Sequence, residues 1–132
     1  MILADSSAWV EFDRATGSGV DRRLTALIET GAPLAVTDPV VMEVTAGARD
    51  DLAAARLRDL LLSFSFLPFD AAADFDAASR IYRACRRHGV TPRGMVDCMI
   101  AAVAWRHRAA LLARDADLAR VAGVMGIELD GG

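Results

Sequence analysis

Ile2-Leu3-Ala4-Asp5-Ser6-Ser7-Ala8-Trp9 opens the chain almost at its first residue. Three apolar residues followed at once by aspartate and serine read as a buried strand that runs straight into a helix. A strand over 2–4 with no polar alternation fits a sheet covered on both faces, the situation of parallel strands. Asp5, Ser6 and Ser7 carry the short oxygens that cap a helix start, and Ala8, Trp9, Val10 and Phe12 continue that helix.

The same alternation recurs along the chain. Thr16-Gly17-Ser18-Gly19 is a loop, and 20–29 places Val20, Leu24, Leu27 and Ile28 at helical spacing before a stop at Gly31. A second strand is expected over 34–37. The helix after it takes Asp38 as its cap and Pro39 as its first residue, and stops near Gly47. Further helices are expected over 51–62, 71–88, 95–105 and 115–121, and further strands over 64–69, 109–113 and 127–129. The pattern implies an α/β fold in three layers, with five short, mostly parallel strands between helices. With 132 residues, no repeat and no linker, 1–132 is expected to be a single domain.

Composition narrows what such a domain can do. Apolar residues make up 54% and charged residues 25%, which excludes disorder and fibrous or disulfide-scaffold classes. Cys85 and Cys98 fall in different predicted helices and read as buried thiols in a reducing compartment, so a cytoplasmic location is expected. The longest strongly apolar stretch, 95–105, contains Asp97 and is too short to span a bilayer, and no signal peptide is expected. All fifteen basic residues are arginine. Without lysine, P-loop phosphate binding and Schiff-base chemistry are excluded. A net charge of −3 excludes general polyanion binding, so any nucleic-acid contact must come from a local arginine patch.

In parallel sheets, ligands bind beyond the carboxyl ends of the strands. Asp5 directly follows the first strand, and Asp115 follows the 109–113 strand after one arginine. Glu43 lies about one turn into the helix behind the second strand. Asp97 lies near the start of the 95–105 helix among Met95, Val96, Cys98, Met99 and Ile100. Asp5 and Asp115 could serve as helix caps, and Glu43 could be a surface residue. Asp97 resists such a reading, because an ionised carboxylate among apolar neighbours is costly unless paired or bound to metal. Four carboxylates from distant segments can converge on one place, where they repel one another unless a cation is present. Mg²⁺ or Mn²⁺ would resolve that conflict, and such a site suits hydrolysis of a phosphodiester.

These pieces resemble the PIN domain and, within it, the VapC-type toxins of bacterial toxin–antitoxin pairs. They are the opening Ile2-Leu3-Ala4-Asp5-Ser6-Ser7; Val40-Val41-Met42-Glu43-Val44 with Ala46-Gly47; Asp97-Cys98-Met99-Ile100-Ala101-Ala102; and Leu111-Leu112-Ala113-Arg114-Asp115-Ala116-Asp117-Leu118. Their order and spacing cover essentially the whole chain. Ala113 departs from the pattern, where threonine or serine is common, and Leu118 stands where an aromatic is common.

The resemblance implies a metal-dependent endoribonuclease with Asp5, Glu43 and Asp97 as metal ligands. Asp115 would complete the set, with Asp117 competing for that place and Ser6 orienting the first aspartate or a metal-bound water. It also implies a homodimer and a small antitoxin whose tail blocks the acidic pocket. Arg86, Arg87, Arg93 and Arg114 are candidate RNA contacts, each with an alternative as a helix-end charge or ion-pair partner. Two rival readings are a PIN-like module that binds RNA or protein without cutting, and a metal-dependent nuclease acting on DNA. The residues alone do not separate RNA from DNA.

Overall fold

A computed structural model describes residues 1–131. Strand β1 (Ile2–Ala4) leads into α1 (Ser6–Asp13) and α2 (Gly19–Glu29); β2 (Leu34–Val36) leads into α3 (Asp38–Ala46) and α4 (Asp51–Leu62). After β3 (Ser65–Phe66) come α5 (Ala71–Arg87) and α6 (Met95–His107), then β4 (Ala110–Leu112) and α7 (Ala116–Met125). The strands pair in the order β3-β2-β1-β4, all parallel, with Leu3 opposite Ala35 on one side and Leu111 on the other. Leu3, Ala4, Ala35, Val36 and Leu111 are buried, as strands covered on both faces require.

The helices fall into two packed groups. On one side α1 packs on α2 and α3, and α3 on α4; on the other, α5, α6 and α7 pack on one another. Right-handed crossovers place the two groups on opposite faces of the sheet, because the chain steps from β1 to β3 in one direction and returns to β4 in the other. The reversal puts β1 and β4 side by side at the switch point, the crevice where α/β sheets bind ligands. No described helix is long and apolar enough to cross a membrane.

Among the described residues four strands form the sheet, one fewer than the sequence pattern suggests. The expected strand over 127–129 is reduced to one parallel bridge between Leu111 and Leu129, closed by Leu111 N–H to Glu128 O and Asp130 N–H to Leu111 O. Beside this bridge the Asp130 carboxylate pairs with Arg23 at 2.8 and 3.0 Å. The third strand is shorter than 64–69. Leu67 N–H still reaches Val36 O, but Pro68 has no N–H to offer and Phe69 N–H donates to the Asp38 carboxylate at 2.7 Å. That bond also corrects the start of α3: Asp38 is its first residue and Thr37 its cap, with Pro39 one place further in. Cys85 and Cys98 are both buried and free.

Candidate active site

Asp5 stands at the carboxyl end of β1 as the cap of α1 and is 3% exposed. Its Oδ2 accepts from Ser7 N–H at 3.2 Å and Ser7 Oγ–H at 2.8 Å. Its Oδ1 is buried with no hydrogen-bond partner. Burial pushes the carboxyl above its ordinary range; the bonds from Ser7 and the Ser6 N–H oppose this, and the charge of Glu43 adds to it.

Asp97 occupies the first turn of α6, is 8% exposed, and has a buried Oδ2 without a partner. Burial first, then the charges of Asp5, Asp115 and Glu43, push its carboxyl up to about 6, with Arg93 pulling the other way. The three other acids therefore act on Asp97 as near neighbours. Glu43, on α3, accepts from Ser6 Oγ–H at 2.6 Å, so the Ser6 hydroxyl steadies Glu43 while its N–H acts on Asp5. Thr37, at the carboxyl end of β2, is fully buried and its hydroxyl has no partner.

Asp115 caps α7: its Oδ1 accepts from Asp117 N–H at 2.8 Å and its Oδ2 from Arg93 Nη2 at 2.6 Å. Asp117 is turned to Arg120 at 2.7 Å and stands 3.8 Å from Arg93. Arg114 pairs with Glu11 at 3.1 Å, the ion-pair alternative raised by the sequence. Arg86 and Arg87 are exposed at the end of α5, away from these bonds.

Sequence reasoning missed the second role of Ser7. Its Oγ donates to Asp5 and also accepts from Arg114 N–H at 3.0 Å and Asp115 N–H at 3.4 Å. One hydroxyl thus ties the end of β1 to the loop after β4. The only signal was the doubled serine, which capping accounted for by itself.

Among the described residues, no group of three or more His, Cys, Asp and Glu side chains is drawn together as a ready-made metal cage. The acids are instead held singly: Ser6 holds Glu43, Ser7 holds Asp5, and Arg93 holds Asp115. The donor set nonetheless fits a hard divalent cation: carboxylate oxygens, two of them buried and unpartnered, with a hydroxyl nearby and no imidazole or thiolate among them.

Residues 2–124 match the PIN domain. The chain belongs to the PIN-domain family. It is 44% identical over 129 residues to ribonuclease VapC11 of Mycobacterium tuberculosis, covering 97% of this chain and 96% of that protein. Among solved structures, VapBC2 from Rickettsia felis bound to a promoter DNA fragment superposes with a TM-score of 0.75 at 18% identity over 98% of each chain. FitAcB from Neisseria gonorrhoeae does so at 0.74 and 22% identity over 98% of this chain and 96% of its own.

Proposed function

We propose that this chain is a metal-dependent endoribonuclease toxin of the VapC type, one PIN domain over 1–132, working in the cytoplasm. The observation that carries the chemistry is the pair of buried aspartates, Asp5 and Asp97, each with an oxygen left without a partner at the sheet's switch point. Buried carboxylates in that state are costly, and a structure keeps them where a cation completes them. The choice of RNA as substrate draws on the 44% identity to a named VapC ribonuclease.

Asp5, Glu43 and Asp97 would hold the cation, directly or through water, with Asp115 as the fourth acid. Asp117 is less suited, being engaged by Arg120. Mg²⁺, or Mn²⁺ in its place, would supply charge neutralisation and water activation for phosphodiester hydrolysis when bound. The protein's own part is to hold the donors. The Ser7 hydroxyl fixes the Asp5 carboxylate, Ser6 fixes Glu43, and the buried first turn of α6 fixes Asp97. Exposed Arg86 and Arg87 are available to RNA phosphates. The VapBC and FitAB assemblies among the structural neighbours support a small antitoxin as partner, and we extend the proposal to a homodimer.

The test is cleavage of a total-RNA pool by purified, antitoxin-free protein with Mg²⁺ or Mn²⁺, beside an EDTA control and Asp5→Asn. Discrete fragments that require both metal and Asp5 are expected, and mapping their ends identifies the target. Metal-independent cleavage, or full activity in Asp5→Asn, would overturn the proposed site. A folded protein that cuts nothing with either metal would overturn the activity.

A further inference from the structure

Arg93 lies on the turn between α5 and α6, its side chain 69% exposed, and it is the arginine whose head group reaches into the acidic set. It donates to Asp115 Oδ2 at 2.6 Å and stands 3.8 Å from Asp117. Its charge also acts on Asp97. The four acids are therefore not equivalent. Asp5 and Asp97 each present an unpartnered oxygen, whereas both oxygens of Asp115 are engaged, one by Asp117 N–H and the other by Arg93.

A cation drawn to Asp115 Oδ2 competes with Arg93 for that oxygen, and its charge repels the guanidinium. A guanidinium that leaves Asp115 remains on the turn before α6, next to the acidic set. A phosphate approaching that cation passes the same rim, and a planar guanidinium binds phosphate oxygens as readily as carboxylate ones.

We propose that Arg93 is a positioning residue with two alternating partners: it holds Asp115 in the metal-free protein and is transferred to a phosphate of single-stranded RNA when a divalent cation takes Asp115. The proposal rests on the acidic-site reading above. It makes metal and RNA reinforce each other, since each favours the state in which Arg93 has left Asp115.

The experiment measures two affinities in wild type, Arg93→Ala and Arg93→Lys. The first is Mn²⁺ alone by titration calorimetry. The second, in saturating Mn²⁺, is a mixed-sequence 2′-O-methyl phosphorothioate RNA at several salt concentrations. Arg93→Ala is expected to bind Mn²⁺ about two- to fivefold more tightly, the range open to an exposed ion pair. It is expected to bind the RNA more weakly, with a salt slope smaller by about one phosphate contact. Arg93→Lys should recover part of the RNA binding. These opposite shifts are not what a merely structural residue produces. Unchanged or weaker Mn²⁺ binding in Arg93→Ala overturns the competition, and unchanged RNA affinity overturns the transfer. If none of the three proteins binds Mn²⁺, the acidic-site reading itself fails, and this inference with it.

Discussion

Asp97 concentrates the conflict between stability and function. Its carboxyl is raised from 3.8 to about 6 by burial and by the neighbouring acids. The folded protein therefore holds a proton, between about pH 4 and 6, that the unfolded chain releases. Stability falls as pH rises through that window, and above it the protein carries the full cost of a charged Asp97. Asp97→Asn keeps the shape and removes the charge. Metal-free Asp97→Asn is expected to exceed wild type in stability at pH 7.5 by on the order of 2 kcal/mol, to match it near pH 4, and to lose cleavage. Urea midpoints at the two pH values check this; a variant less stable than wild type at pH 7.5 would show that charge is not what strains the site. The importance of Asp97 was legible in the sequence, because a lone carboxylate among Val96, Cys98, Met99 and Ile100 has no solvated face to occupy. The Ser7 bridge and the hold of Arg93 on Asp115 were not, since each joins segments about a hundred or about twenty residues apart through side-chain direction alone.

At the level of elements, α5 and α6 are locked by a pair that the sequence did not announce. Asp74 is almost fully buried; its carboxylate accepts from Arg106 Nε at 2.9 Å and Nη2 at 2.8 Å, and from Asp70 N–H at 2.8 Å. Arg106 also donates to Pro68 O at 2.9 Å, tying in the loop after β3. Burial alone would raise the Asp74 carboxyl, but the Arg106 and Asp70 N–H bonds, with the charges of Arg106 and His107, together hold it below the usual carboxylate range. Arg106→Ala leaves that buried charge without its partner, and a loss of about 3 kcal/mol is expected. The contribution is present above the ordinary carboxylate range and disappears as pH falls through the lowered value, so wild type and variant should converge in strong acid. Denaturant unfolding of both proteins across pH 2–7 tests it; parallel curves throughout would overturn the ion-pair account. Helix periodicity could not show this pair, because Asp74 and Arg106 each read as surface charge on their own helix. It could place the helices themselves. The helices expected over 51–62, 71–88 and 95–105 from composition and apolar spacing appear as α4, α5 and α6, whereas the Asp50 and Asp70 caps of the first two are seen only in the structure. The strands were legible as apolar runs but not in extent. β3 gives way where Pro68 offers no N–H and Phe69 N–H turns to Asp38, a partner 31 residues away that no local pattern reveals.

Across the whole molecule, the acidic set draws on β1, α3, α6 and the loop after β4, so it samples both helical groups and the sheet between them. The unfolded chain spreads the same acids from position 5 to position 115 and offers no assembled site. A cation bound there therefore adds its binding free energy to the stability of the whole fold, not of one segment. With Mn²⁺ at a hundredfold excess over its Kd, the added stability is about 2.7 kcal/mol. For a chain of this size that corresponds to a rise of roughly 8 °C in Tm. The same addition to Asp5→Asn should give little or no rise, because the variant has lost the donor fixed at the end of β1. EDTA should return the wild-type midpoint to its starting value. A control with NaCl at matched ionic strength separates this from screening, since screening relieves the repulsion among exposed acids in wild type and variant alike. Equal shifts in both proteins, or none in wild type, would mean that the acids do not act as one site. A shift confined to wild type would mean that four distant segments are joined thermodynamically by a single ion, which is what a metal-dependent nuclease built on this sheet requires.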